Sequence, residues 1–347
     1  MRTQLIAFLV ATAVAAFGQT PDSDRTFYFA HTSATQGMQE IATSIHTIAD
    51  MSQVSVDESK KSFTVHGTPD QLALAEWMFT GMDVTAPASS DTAIHEYRMP
   101  SGADNVVRLF YLNRGQSIQD FQEFATLFRT LGDVRRVFTT NGSRILAVRG
   151  SAEQAAMADW IINEVEKSAA EPRQHSVSER YRFAEPADRE KADAIQVLYV
   201  ANAATVQSFQ EIATSIRTIT DIRRVYTYNT PRAIALRGTA DQLALAAWLF
   251  DRTDKPANAA AAPPSAIYNY QAVDPRNNSV QVFSLAHTAT PADFQKIATQ
   301  IRSETGIPRV FTYNAPRVMM LRGTTDQLVQ AERLLKQLDP PDFPAGK

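Results

Sequence analysis

A block of sequence that occurs four times restricts the fold of this chain more than any other feature. The best-patterned copy spans residues 209–254, and edited versions span 38–83, 121–166 and 294–339. A glycine recurs at one position of every block, as Gly67, Gly150, Gly238 and Gly323. The period of roughly 85 residues is longer than a solenoid repeat and suits a string of small domains.

The first half of each repeat predicts a strand and an amphipathic helix. In the third copy, residues 195–200 form a β-branched and aromatic run that is typical of a strand. The helix that follows places Phe209, Ile212 and Ile216 on one face, because spacings of three and four meet on one side. Its predicted N-cap is Thr205, and the caps predicted for the other copies are Thr35, Ser117 and Thr290.

The second half of each repeat predicts a hairpin and another helix. Residues 224–228 and 233–237 read as strands around a turn at 229–232. The glycine follows, and then Thr239 to Gln242 form a capping box that begins the helix. The same box stands in the other copies at 68–71, 151–154 and 324–327.

The sequence therefore predicts an α+β chain of four tandem βαββα modules, each a three-stranded sheet with two helices on one face. The predicted modules are residues 24–83, 93–167, 178–254 and 266–339. Linkers rich in Ala, Pro and Ser separate them at 84–91, 168–177 and 255–265. Strand-like pieces at 96–99, 180–183 and 268–271 predict extra edge strands in copies two to four. Residues 340–347 are expected to be a disordered tail.

The N-terminus predicts export. Arg2 precedes an apolar run from Leu5 to Phe17, and small residues follow, so residues 1–18 read as a secretory signal peptide. No other segment is long and apolar enough to span a membrane, so we expect a soluble mature chain without a transmembrane segment. The absence of cysteine and a net charge of −3 fit a periplasmic protein of a Gram-negative envelope and disfavour a nucleic-acid partner.

Strand alternation places aromatic and arginine side chains on the sheet face opposite the helices. The residues concerned are Tyr199, Tyr226, Tyr228 and Arg237 in the third copy, Tyr111, Phe138 and Arg149 in the second, and Phe311, Tyr313 and Arg322 in the fourth. Such a face is a candidate interaction surface. Alternatively, a neighbouring module or the extra strand covers it.

Two further groups of residues vary between the copies. One group is the paired arginines, Arg135–Arg136 and Arg223–Arg224. They could meet an acidic neighbour, or they could be solvated ends of the hairpins. We favour the second interpretation because exposed ion pairs contribute little. Tryptophans recur as Trp77, Trp160 and Trp248, but the fourth copy has Arg333 there. We interpret each tryptophan as packing against the next module, with packing inside its own module as the alternative.

No motif with a catalytic mechanism is present in the sequence. The six histidines lack metal-ligand spacing, and there is no GxSxG or Gly-rich phosphate loop. We therefore expect no catalytic residue, no cofactor and no metal.

The repeat resembles the periplasmic N-domains of secretins, the ring-building modules of secretion and pilus channels. The shared pattern is a return strand ending in glycine, then Thr/Ser-x-(Asp/Glu)-Gln opening a helix. That helix closes at Asp83, Asp254 and Asp339, with Glu166 in the second copy. The resemblance implies a KH-like, ring-building fold and a docking role. Secretins continue into a membrane β-barrel, but no barrel-like strands precede Lys347, so we do not expect a channel.

Three functions remain as hypotheses from the sequence. The first is a non-enzymatic periplasmic scaffold that binds envelope proteins, secretion or pilus components, or itself. The second is a peptide- or glycan-binding protein that uses the Tyr/Arg sheet faces. The third is a periplasmic enzyme with a site between modules, which four equivalent modules disfavour.

Overall fold

The computed structural model describes residues 22–84, 95–112, 118–170, 174–184, 194–229, 232–257, 259, 262–270, 277–288, 290–314 and 316–340; for residues 120, 121 and 166–170 it describes the backbone alone. The signal peptide, the cap at Ser117, most of the first linker, the Glu166 side chain and the tail after residue 340 lie outside that description and stay predictions. The chain divides into two compact units, Met1–Thr85 and Ala86–Lys347.

The first unit is one βαββα module. Its elements are β1 (Ser23–Tyr28), α1 (Thr35–Ala49), β2 (Gln53–Asp57), β3 (Ser62–Gly67) and α2 (Pro69–Met82). The sheet is antiparallel with the order β1-β3-β2, so the return strand of the hairpin is central.

The second unit contains three modules of the same kind. The second module comprises β4 (His95–Arg98), β5 (Val106–Tyr111), α3 (Ile118–Gly132), β6 (Arg136–Thr140), β7 (Ile145–Gly150) and α4 (Ala152–Ala170). The third comprises β8 (Ser176–Val177), β9 (Tyr181–Arg182), β10 (Ala194–Tyr199), α5 (Val206–Thr220), β11 (Arg224–Tyr228), β12 (Ala233–Gly238) and α6 (Ala240–Thr253). The fourth comprises β13 (Tyr268–Asn269), β14 (Ser279–Ser284), α7 (Pro291–Thr305), β15 (Arg309–Tyr313), β16 (Val318–Gly323) and α8 (Thr325–Leu338).

The α+β fold class and the repeated βαββα pattern are confirmed. The predicted edge strands are present as β4, β9 and β13, which pair with β5, β10 and β14. The short strand β8 was not predicted from the sequence, and it pairs with β10 beside β9.

The predicted capping boxes are present in all four modules. In the third, the Thr239 hydroxyl accepts from the Gln242 amide at 3.2 Å, and the Gln242 side-chain oxygen accepts from the Thr239 amide at 3.0 Å. Gln242 also donates to the Thr220 carbonyl at the end of α5. The glutamine therefore caps one helix and binds the end of the other, which no local motif predicts.

The capping glutamine accounts for the recurring glycine. A Cβ atom on Gly323 would lie 2.7 Å from the side-chain oxygen of Gln327, and one on Gly150 would lie 2.5 Å from that of Gln154. Real Cβ atoms do not approach oxygen so closely, so a larger residue would displace the cap.

The aspartate that follows the second helix binds the loop after the first strand. Asp254 accepts from the amides of Ala201 and Asn202 at 2.9 and 2.8 Å. Asp83 and Asp339 make the equivalent bonds in the first and fourth modules. Burial raises the pKa of Asp83, but hydrogen bonds from Ala30, Thr32 and His31 outweigh it and hold that pKa below its usual value.

One predicted cap was wrong. Thr35 is the first helical residue of α1 rather than its cap, and the N-cap residue is Ala34, which has no side chain that accepts a hydrogen bond. The Thr35 hydroxyl donates to Glu58 instead. Thr205 and Thr290 cap α5 and α7 as predicted.

Candidate functional site

The first helix of one module lies on the outer sheet face of the next module within the second unit. Phe124 and Phe128 of α3 share an apolar cluster with Ile195, Val197 and Tyr228 of the third sheet. The Tyr228 ring lies 5.1 Å from that of Phe124, and its side chain is 1% exposed.

The same arrangement recurs one module further along the chain. Tyr313 is 1% exposed and shares an apolar cluster with Phe209 of α5. Val280, Val282 and Met320 of the fourth sheet belong to that cluster. We call each of these helix-on-sheet contacts a docking contact.

A glutamate and an asparagine form one polar part of each docking contact. Glu123 accepts from the amide of Asn229 at 3.1 Å and from its side chain at 2.7 Å. Glu211 accepts from the amide and the side chain of Asn314, both at 3.1 Å. A carboxylate is thus bound at two points by the turn of the next hairpin, which fixes the position of the helix on the sheet.

An aspartate and two arginines form the other polar part. Asp221 binds Arg309 at 2.5 Å and Arg322 at 2.9 Å. Arg322 also donates to the Ile219 carbonyl at the end of α5. At the preceding junction, Asp133 binds Arg224 and Arg237 in the same way.

The two aspartates have left-handed backbones at the ends of their helices. The φ angles are 55° for Asp133 and 62° for Asp221. Glycine is the usual residue at this position, and the fourth module has Gly306 there with φ 66°. At the ends of α3 and α5, an aspartate in a conformation that favours glycine thus places its carboxylate on the arginines of the following module, and Asp50 at the end of α1 has the same backbone with φ 53°.

Contacts between tilted aromatic rings add a second contact at each junction. The Trp160 ring of α4 lies 5.6 Å from Tyr181 of β9, and the Trp248 ring of α6 lies 5.0 Å from Tyr268 of β13. The guanidinium of Arg237 lies 4.1 Å from the centre of the Phe183 ring. The edge strands therefore carry aromatic side chains to the preceding module.

Burial dominates the electrostatics of the docking contacts. It lowers the pKa of Arg322, an effect that Asp221 opposes and Arg309 reinforces. It raises the pKa of Tyr313 to about 12, with Asp254 and Glu211 acting in the same direction. It also raises the pKa values of Tyr199 and Tyr226, beside Glu164 and Glu123 respectively.

The structure brings most of the predicted surface residues of the third and fourth modules into the docking contacts. Tyr228, Tyr313 and Arg322 are buried there, whereas Tyr226, Arg224 and Arg237 are half-buried. Tyr199 donates to Glu164 of α4. Phe311 packs at the edge of the cluster that contains Phe209. For these two faces, the alternative that a neighbouring module covers them describes the structure.

The remaining predicted residues do not gather into one site. Arg135 and Arg223 are exposed, and Arg136 binds Asp104 at 3.1 Å. Tyr111 is buried; Phe138 and Arg149 are half-buried in the second module, and Trp77 is half-buried in the first unit. The paired arginines thus separate, since the second of each pair binds an aspartate and the first faces solvent.

The sequence reasoning missed the glutamate and the aspartate of the docking contact. Glu123 and Glu211 stand five residues after the first residue of their helices, and Asp133 and Asp221 follow the last residue. Both types recur at one register. That recurrence on an otherwise variable helix surface was the available evidence.

The described residues hold no group of three or more His, Asp or Glu side chains placed to bind a metal ion. Among the helices described, none combines the length and apolar character that a membrane span requires.

Comparison with known proteins leaves the family unassigned. No family model and no curated protein matches the chain. A solved structure of Aeromonas hydrophila ExeD is 13% identical over 69% of this chain and 42% of its own, with a TM-score of 0.16. The pilotin–secretin AspS–GspD complex of ETEC is 14% identical over 66% of this chain and 36% of its own, also with a TM-score of 0.16.

An aspartate kinase from Synechocystis gives a TM-score of 0.18 at 11% identity, over 94% of this chain and 56% of the kinase. The chain thus spans less than half the length of the two secretin chains. Superpositions at this level define no common fold, so the fold assignment rests on the chain's own geometry.

Proposed function

We propose that this chain is an exported, non-enzymatic scaffold of the periplasm that acts in a secretion- or pilus-related assembly of the cell envelope. The observation that supports a scaffold most directly is the docking contact, built twice with the same residue types. Its Tyr and Arg side chains, the best candidates for ligand binding, are occupied by helices of the same chain. The residues that recur on these faces therefore join one module to the next.

Two features of the sequence support the cellular setting. Residues 1–18 have the pattern of a secretory signal peptide. The βαββα repeat, with its strand-ending glycine and capping box, resembles secretin N-domains, which associate with one another and with envelope proteins. The scaffold would therefore present exposed parts of its modules, such as Arg135 and Arg223, to other proteins.

Site-specific photocrosslinking in the native envelope tests this function. A photoreactive residue is placed at Arg135 or Arg223, with Tyr313 as the matched buried control. We expect the exposed positions to crosslink to a periplasmic or membrane component of a secretion or pilus system, and the control to crosslink only within the chain. Retention of the full-length chain in the cytoplasm, or crosslinks only to cytoplasmic proteins, would contradict the proposal.

A further inference from the structure

The exposed face of α7, the first helix of the fourth module, differs from the faces of α3 and α5 that form the docking contacts. Lys296 stands where Glu211 stands in α5, Glu304 where Ile219 stands, and Gly306 replaces the aspartate. All three fourth-module residues are exposed. The carboxylates that bind the asparagine and the arginines are absent from this helix, and a charge replaces the buried isoleucine.

The second helix of the fourth module changes in the same direction. Gln330 and Arg333 of α8 occupy the positions of Leu245 and Trp248 in α6, and both are exposed. In α6, Leu245 is buried and the Trp248 ring contacts Tyr268. Polar side chains therefore replace the apolar side chains of this part of the junction in the fourth module.

The outer sheet face of the first module is polar as well. Asp57, Glu58 and His66 occupy the positions of Tyr313, Asn314 and Arg322. Asp24 and Thr26 replace Val280 and Val282, and both are exposed. His66 binds Asp24 across the strands at 2.7 Å, which uses the face within its own sheet.

We infer that these two faces prevent the docking contact from forming between the fourth module of one copy of the chain and the first module of another. A terminal repeat needs a polar outer face, because an open docking face would bind the next available partner. Docking depends on burying side chains such as Tyr228 and Tyr313, which removes large apolar ring surfaces from water. The terminal faces offer no such burial.

The polar pairs that could form between two copies do not replace that burial. By register, Lys296 of one copy would meet Glu58 of another, and Glu304, the counterpart of Ile219, would lie near His66. Lys296 and Glu58 are both exposed, and ion pairs between exposed side chains contribute little to association. This inference concerns the purified chain alone, so it stands or fails independently of the proposed envelope function.

Restoring the two faces in separate chains tests the inference. The helix variant carries Lys296→Glu, Glu304→Ile and Gly306→Asp. The sheet variant carries Asp24→Val, Thr26→Val, Asp57→Tyr, Glu58→Asn and His66→Arg. Analytical ultracentrifugation should find monomers for the wild type and for each variant alone. An equimolar mixture of the two variants should double the mass to a one-to-one complex.

A matched control separates specific docking from general stickiness. A helix variant with Gly306→Arg in place of Gly306→Asp presents the same new isoleucine but repels the arginine, and we expect no complex. Circular dichroism and thermal melting establish that each variant is folded. The inference would be overturned if the two variants fold but do not associate. It would also be overturned if the wild-type chain associates as its concentration rises and Lys296→Glu abolishes that association.

Discussion

Asp221 is the residue at which local and long-range requirements conflict most clearly. Its left-handed backbone costs a non-glycine residue about 1–2 kcal/mol. Its carboxylate binds Arg309 and Arg322, and the Arg322 side chain is only 2% exposed. Hydrogen bonds to charged groups contribute about 1.5–3 kcal/mol. The docking contact therefore outweighs the cost at the helix end.

Substitutions at Asp221 should rank in an order that a simple helix-cap residue would not produce. Asp221→Gly relieves the backbone but removes the carboxylate, so we expect a net loss of about 1 kcal/mol. Asp221→Asn also loses the charge, and asparagine tolerates the left-handed conformation less well than glycine does. We therefore expect Asp221→Asn to lower the stability of the docking contact more than Asp221→Gly does. Amide hydrogen exchange of β15 and β16 measures both. Glycine that stabilises the chain would contradict the docking role.

Tyr313 should make the docking contact sensitive to alkaline pH. Burial raises its pKa to about 12, so the folded state holds the phenolic proton more tightly than the unfolded state does. The stabilisation is complete below the ordinary tyrosine pKa of about 10 and is lost as the pH rises toward 12. The phenolate absorbance should show a late phase from the buried tyrosines, and Tyr313→Phe should lower the amplitude of that phase by one phenol. A late phase of unchanged amplitude in that variant would count against the assignment.

At the scale of the element, most of the fold follows from local rules. The spacing of Phe209, Ile212 and Ile216 predicts α5, and Thr239 with Gln242 predicts the start of α6; both are observed. Alternation correctly separates Leu236, which faces the helices, from Arg237. The short strand β8 was not predicted because a strand of two residues is too short to show an alternating pattern. The cap of α1 was misplaced because a threonine inside a helix resembles one at its start.

The strand-ending glycine and the capping glutamine should behave as one unit. Gly323→Ala places a methyl group 2.7 Å from the Gln327 oxygen and displaces the cap. We expect a loss of about 1–2 kcal/mol, the value of a good helix cap. Urea denaturation of the chain, followed by the circular dichroism signal, measures this change.

A double-mutant cycle distinguishes a clash from a requirement of the strand. Gln327→Ala alone should also cost about 1 kcal/mol, since it leaves the Thr324 amide without its acceptor. If the clash is the cause, the double variant should cost about as much as either single variant. Additive losses would show that the glycine serves the backbone rather than the cap.

At the scale of the whole molecule, the sequence identified the residues of the docking surface but not what covers that surface. Alternation placed Tyr228, Tyr313 and Arg322 on the outer sheet faces, but residue type alone fits either a ligand or a neighbouring module. The deciding residues were Glu211 and Asp221, whose partners lie roughly a hundred residues away in sequence. Contacts of that range leave no local pattern, and the recurrence of these residues at one register was the only sequence evidence from which they could have been predicted.

The docking contacts should make the second unit unfold as one body. A module of this size is near the lower limit for independent stability, so each relies on its neighbour. Tyr313→Ala removes a buried aromatic ring from the junction between α5 and the fourth sheet, at a cost of about 3–5 kcal/mol. We expect the fourth module to open separately, which adds a lower-temperature calorimetric transition and faster hydrogen exchange in α7 and α8 than in α5 and α6.

Tyr28 supplies the matched control for this experiment. It lies in β1 of the first unit and is 66% exposed, so Tyr28→Ala removes an aromatic ring without opening a buried contact. That variant should leave the transitions of the second unit unchanged. If Tyr313→Ala instead lowered the stability of α5, α6, α7 and α8 equally, with one transition, the modules would share a single core rather than a docking contact between separate cores.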